Sequence, residues 1–263
     1  MPNKLIFLGT GTSQGVPMIG CNCNVCKSKD IHDNRLRTSA YIEFNGIKIL
    51  IDCGPDFRQQ MLRENISDLD LILLTHQHKD HTGGLDDIRS FNYFKEEAFP
   101  IYAEKRVQDS LKMEYSYAFA DIKYPGVPEF KLKTIDENPF NIYKTIDNKE
   151  VCITIIPIRV MHYKLPILGF RLGNLAYITD GNFIPLNEYS KLEGVETLII
   201  NTVRKEKHIS HFSLDEALDE IKKIKAKNNY LTHLSHQIGL HTDLINTLPS
   251  NVRPAFDGQL IYF

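Results

Sequence analysis

Short apolar runs separated by turn residues punctuate this chain. Leu5–Leu8 reads as a short buried strand that enters a glycine-rich turn, Gly9 to Gly15. Residues 38–44 (TSAYIEF) and 47–51 (IKILI) flank Asn45-Gly46, a pair that accepts the positive dihedrals of a two-residue hairpin turn. Leu69–Leu74 is a continuous apolar run of strand length that stops abruptly at Thr75-His76. Further strands are expected at Val151–Ile156, Leu175–Thr179 and Thr197–Ile200. The clearest helix covers Ser213–Lys225, where Leu214, Ala217, Leu218, Ile221 and Ile224 share one face. Ser213 and Glu216 stand at the spacing of a capping box, each able to bond the backbone N–H of the other. A second helix is expected over about 104–119. Strands dominate with helices interspersed, which predicts a layered α/β architecture. No repeat or low-complexity linker divides residues 1–263, so a single domain is expected. Its least regular part is the aromatic-rich stretch 91–150, read as a substrate or lid region (Phe91, Tyr93, Phe94, Tyr115, Tyr117, Phe119, Tyr124).

Composition narrows the function classes more than the fold. With 263 residues, 42% hydrophobic and 24% charged, the chain can bury a full core and is not disordered. A net charge of -2 provides no broad attraction for polyanions, which argues against an extended nucleic-acid footprint and leaves room for a small phosphorylated ligand. No stretch approaches the roughly 20 apolar residues of a membrane helix, and the first apolar run is too short for a secretory signal. A cytoplasmic protein with no membrane partner is expected. In a reducing compartment, clustered cysteines point to a metal rather than to disulfides. Three of the five cysteines lie within "GCNCNVC" (Cys21, Cys23, Cys26), while Cys53 and Cys152 sit in apolar runs and read as core residues.

The strongest chemical signal is "THQHKDH", Thr75 to His81. Four ligand-type side chains, His76, His78, Asp80 and His81, fall in six residues directly after a buried strand. Alternate residues His76 and His78 can face one ion, and Asp80 and His81 can turn toward a second. Imidazole with carboxylate suits zinc, manganese or iron. The glycine-rich turn after the first strand is not a phosphate loop: it lacks the Lys-Ser/Thr ending and runs into Pro17 and the cysteines instead of a helix.

"HQHKDH" resembles the H-x-H-x-D-H motif of the metallo-β-lactamase superfamily, whose fold is a four-layer αββα sandwich with a two-metal site at one edge. The resemblance implies further site residues in chain order. Asp52, after the strand 47–51, would support the metal loop. His162 in "VMHYKLP", Asp180 in "AYITDGN" and His233 in "YLTHLSH" would complete the ligands. By this resemblance His76, His78 and His162 hold one divalent ion, Asp80, His81 and His233 the other, and Asp180 bridges them as Zn2+ or Mn2+ ligand.

"HFSLDEA", from His211, resembles the H-x-S/T-x-x-E-A motif of ribonuclease Z and related phosphodiesterases, where the histidine lies beside the scissile phosphate. His208 is its rival for that role. "THLSHQ" supplies His236, which would complete Cys21, Cys23 and Cys26 as a structural Cys3His zinc site. The two cysteine-histidine elements resemble the phosphoribosyl 1,2-cyclic-phosphate phosphodiesterases of phosphonate breakdown. The expectation is therefore a metal-dependent phosphodiesterase in which Asp80 and His211 serve catalysis and a homodimer is implied. Alternatives on the same fold are a ribonuclease Z-like tRNA 3′ endonuclease and a pyrroloquinoline quinone-type cofactor-pathway protein. A metal-bound scaffold without turnover is the alternative from another class.

Overall fold

The turn at Asn45-Gly46 forms as expected, with φ of 50° and 79° at its two residues. It joins β2 (Ser39–Phe44) to β3 (Ile47–Ile51) with Phe44 opposite Ile47. In this computed structural model, which describes residues 2–263, that hairpin lies at the centre of a seven-stranded sheet. β1 (Lys4–Gly9) and β14 (Leu260–Tyr262) extend it on one side. On the other side lie β4 (Leu71–Leu73), β5 (Phe99–Ala103) and β6 (Phe130–Thr134), each parallel to its neighbour.

A second seven-stranded sheet repeats the scheme. β7 (Phe140–Ile146), β8 (Lys149–His162), β9 (Leu165–Leu172) and β10 (Leu175–Ile178) run antiparallel in order. β11 (Thr197–Asn201), β12 (Asn228–Thr232) and β13 (Val252–Pro254) then continue in parallel. The inner faces meet in one core that includes Phe7, Ile42, Ile49, Ile155, Phe170 and Tyr177. Residues of opposite parity face outward against helices. α1 (Phe57–Arg63), α3 (Arg89–Lys95) and α4 (Lys105–Glu114) cover the first sheet through Phe57, Met61, Phe91, Val107 and Leu111. α5 (Leu214–Ile224) and α6 (His241–Thr247) cover the second through Ala217, Ile221 and Leu244. The short α2 (Lys79–Thr82) follows β4. The result is the αββα sandwich expected. The capping box of α5 is complete, with Ser213 and Glu216 bonding in both directions.

Three local expectations are corrected. The stretch 91–150 is mostly regular, holding the end of α3 and then β5, α4, β6 and β7. α4 stops at Glu114 and gives way to a single 3-10 turn over Ser116–Ala118, so the expected helix is shorter. Cys152 is exposed, because the outer half of β8 pairs at a sheet edge and shows alternate residues to solvent. That alternation also hides the true length of β8, which runs 14 residues to His162. Among the described residues, no helix is long and apolar enough to cross a membrane.

Candidate metal centre

The parallel strands of both sheets end at one edge, and the ligand-type residues sit just beyond those ends. Asp52 follows β3, Thr75 to His81 follow β4, Asp180 lies two residues beyond β10, and His233 follows β12. His162 closes β8. Asp52, Asp180 and His233 adopt left-handed backbone, with φ of 60°, 59° and 56°. For non-glycine residues that conformation costs about 1–2 kcal/mol each. It is tolerated where surrounding contacts over-determine the turn, a pattern concentrated at functional sites.

The side chains converge in two groups. Donor atoms of His76, His78 and His162 lie within 4.8 Å of one another, and so do those of Asp80, His81, Asp180 and His233. Asp180 Oδ2 stands 3.3 Å from His81 Nε2, 3.2 Å from His233 Nε2 and 3.8 Å from His76 Nε2. One carboxylate therefore faces both groups.

Several partners fix which nitrogen each ring presents, the usual arrangement behind metal-binding histidines. Asp52 Oδ2 lies 2.7 Å from His81 Nδ1, and its Oδ1 accepts the Thr75 backbone N–H at 2.9 Å. Thr75 Oγ1 contacts His76 Nδ1 at 2.9 Å, and His162 Nδ1 donates to the Ser210 carbonyl at 2.9 Å. Thr179 Oγ1 donates to Asp180 Oδ1 at 2.6 Å, while the Asn201 amide clamps the next turn through both polar groups of Gly181. Gly54 is required beside this loop, since a Cβ there would stand 2.2 Å from the Asp80 carbonyl. Thr75, Thr179, Asn201 and the Ser210 carbonyl escape the sequence reading. The threonines had one visible signal, a position immediately before a ligand.

Electrostatics match a donor cluster. Burial pushes His76 well below its ordinary pKa, and the neighbouring His81 adds to this, so its lone pair is free. Burial alone would lower His81 too, but Asp180, Asp80 and Asp52 outweigh it and push that ring well above its ordinary value. Burial would raise Asp180, yet His233 and His81 hold it well below the usual carboxylate range. His81 Nε2 and His233 Nε2 are buried beside the Asp80 and Asp180 carboxylates without a well-aligned hydrogen bond, which buried polar atoms rarely tolerate. Imidazole and carboxylate donors at these separations fit a binuclear divalent-metal site.

His211 packs against the centre, its ring 4.7 Å from that of His162 and 4.8 Å from that of His233. Burial, and then His233, lower its pKa to about 3. His208 lies one step out, 5.0 Å from His211, with its Nδ1 accepting from the Ser210 N–H at 3.3 Å. Both line a polar recess of about 290 Å³ with Thr12, Ser13, Gln14 and Gln237.

His236 lies on the opposite side of the same segment from His233. Its Nδ1 is 3.4 Å from Cys21 Sγ and 3.3 Å from Cys23 Sγ, and Cys26 completes the four-residue group. Backbone amides of Met18 and Cys26 point at the sulfurs of Cys26 and Cys23, each at 3.4 Å. The Cys26 amide, and then His236, lower the Cys23 thiol to about 6. The segment is tied on both sides: Leu234 N–H donates to the Thr10 carbonyl at 2.8 Å, and Ser235 Oγ to the Val203 carbonyl at 2.6 Å. Cys53 is buried in the core, as expected.

The profile of the β-lactamase superfamily domain matches residues 48–234, which contain every residue of the His/Asp centre. A solved diphosphatase of the PhnP family superposes with a TM-score of 0.89 at 36% identity, over 99% of this chain and 98% of its own. The chain belongs to the PhnP family of the metallo-β-lactamase superfamily. Membership, together with the convergent donors, makes this PhnP-family chain a metal-dependent hydrolase. An octanoyltransferase from Porphyromonas gingivalis is 42% identical over 97% of this chain but only 50% of its own length. The PhnP-family chain thus spans half of that relative. A ribonuclease Z from Methanocaldococcus jannaschii is 31% identical over 156 residues, 56% of this chain and 42% of its own.

Proposed function

We propose that this chain hydrolyses a small cyclic phosphate or nucleotide-like phosphodiester. The carrying observation is the pair of donor groups meeting at Asp180 with His211 packed between His162 and His233. His76, His78 and His162 would hold one divalent ion, Zn2+ or Mn2+, and Asp80, His81 and His233 the other, with Asp180 shared. Such a pair, when bound, lowers the pKa of water and neutralises charge on phosphoryl oxygens. The protein's part is placement. Asp52 keeps His81 with Nε2 toward the centre, and the Ser210 carbonyl does the same for His162. The neutral His211 ring retains one N–H, which can be donated to a phosphoryl oxygen at the mouth. His208 lines the same recess as His211 and is the alternative donor. Cys21, Cys23, Cys26 and His236 would hold a structural zinc that fixes the loop behind the recess.

Apart from Val203, the recess is lined by hydroxyl, amide and imidazole groups, which suit a sugar or base better than an alkyl chain. Octanoyl transfer is named for a relative twice this length, of which this chain matches half. The net charge of -2 favours a small substrate over tRNA. The test is turnover of bis(p-nitrophenyl) phosphate and a ribose cyclic phosphate with Mn2+ or Zn2+, beside an octanoyl thioester, a precursor tRNA and a β-lactam. Diester turnover is expected. Thioester cleavage with no diester turnover under any metal would sink the proposal.

A further inference from the structure

Three ligand-type residues of the centre directly follow a threonine at a strand end: Thr75-His76, Thr179-Asp180 and Thr232-His233. In the first two pairs the hydroxyl reaches its neighbour, at 2.9 Å and 2.6 Å. In the third, Thr232 Oγ1 and His233 Nδ1 are both buried without a partner. A third unpartnered group lies nearby. Tyr177 is fully buried, its Oη has no good hydrogen-bond partner, and it faces Thr232 across β11. The register explains this approach: Tyr177 pairs with Ile199, Ile199 with Tyr230, and Thr232 lies two residues beyond on the same face.

We infer that Tyr177 and Thr232 are positioning residues for His233: Thr232 Oγ1, which bonds neither of them in this structure, turns to accept the His233 Nδ1–H and is held in place by the Tyr177 O–H. The inference rests on the reading that His233 binds a metal through Nε2. That binding requires the proton on Nδ1, and a buried N–H requires an acceptor. A threonine hydroxyl has two lone pairs, one for each donor. Burial, with Asp52 and Asp180 nearby, pushes the Tyr177 phenol well above its ordinary pKa, so it remains a donor. The other rings already have their supports in Asp52, Thr75 and the Ser210 carbonyl. His233 alone among the buried rings of the two groups lacks one. Thr202 Oγ1 is also buried and unpartnered, and its backbone N–H bonds the Thr232 carbonyl, which makes it the competing acceptor.

The experiment is competition between a chromogenic chelator and the full chain for Mn2+ or Zn2+, without substrate. Variants are Thr232→Val, Thr232→Ser, Tyr177→Phe and Thr202→Val, each checked for wild-type far-UV dichroism. Thr232→Val should weaken one active-site ion by about 10–100-fold, the usual loss when the partner of a ligating histidine is removed. The cysteine-bound ion should be unaffected, Thr232→Ser should restore affinity, and Tyr177→Phe should show a smaller loss. In the proton NMR spectrum of the loaded protein, one downfield imidazole N–H should persist in Thr232→Ser and vanish in Thr232→Val. Wild-type affinity for both ions in folded Thr232→Val, or a loss confined to Thr202→Val, would overturn the inference. If Thr232→Val does not fold, unchanged affinity in Tyr177→Phe overturns it and a graded loss supports it. Because no substrate is used, lack of diester turnover would count against the proposed function alone.

Discussion

The His/Asp cluster and the Cys/His cluster share one stretch of chain, residues 233–236, yet they are assembled in different ways. The first takes four residues from the loop after β4 and single ones from the ends of β8, β10 and β12, and buries most of them. Its rings and carboxylates are held by the scaffold through Asp52, Thr75, Thr179 and Ser210. The second takes three residues from one six-residue loop, leaves them partly exposed, and supports its sulfurs with two backbone amides. A preformed cluster of opposed charges keeps its shape because the sheets impose it. A loop of half-exposed thiols has no comparable framework and would depend on a bound ion for shape, as small metal sites do. On the proposed reading, the same short segment carries one ligand that serves chemistry and one that serves fold.

The sharpest way to break this distinction is Asp180→Ala. It removes the carboxylate common to both donor groups and should lower diester turnover by at least about 10²–10³-fold, the scale of losing a central charge-stabilising group. Elemental analysis should still find the cysteine-bound ion, and its loss would show that the clusters are not independent. Next in size is the contrast between neighbours. His236→Ala should release the cysteine-bound ion and lower Tm by several degrees while part of the activity remains. His233→Ala should abolish turnover and keep that ion. The same outcome for both would erase the contrast.

A smaller effect concerns a polar cluster outside both sites. His241 stacks on His32 at 4.9 Å and meets the buried Arg35 at 3.2 Å. Burial, then the Arg35 charge, lower its pKa to about 4. The unfolded chain binds this proton near pH 6.5, so the contribution is complete above that value. It declines as pH falls from about 6.5 toward 4, by at most about 1.4 kcal/mol per pH unit for one proton. His241→Gln should flatten that part of the denaturant-midpoint profile without changing either metal content. Parallel profiles for variant and wild type would remove His241 from the acid response.

What could be read in advance was local. The Asn45-Gly46 hairpin, the capped α5 and the ligands after β4 are each written in a few adjacent residues. His162, Asp180 and His233 are single residues after apolar runs, and only the family pattern selects them. Periodicity misjudged β8 because a strand next to the sheet edge with one wet face does not look like a buried one. The approach of Cys21 to His236 spans 215 residues, and no local rule encodes a contact of that range. The hydroxyl of Thr179 and the Asn201 clamp on Gly181 could not be separated from ordinary polar residues until the strands were side by side.

The left-handed backbone at Asp52, Asp180 and His233 has a consequence for how this chain balances stability against function. At such a position glycine is more comfortable than any residue able to bind a metal. The metal-free chain is therefore expected to lie below its attainable stability, as proteins do where activity dictates an awkward residue. Asp180→Gly and Asp180→Ala remove the same carboxylate and should be equally inactive. In the metal-free state the glycine variant should nonetheless melt about 2–4 °C higher, the shift expected for about 1 kcal/mol of relieved strain. Equal melting temperatures would mean that the turn at Asp180 carries no such cost. A higher value would show that the turn at Asp180 disfavours any side chain, so that the chain keeps its carboxylate there against the preference of its own backbone.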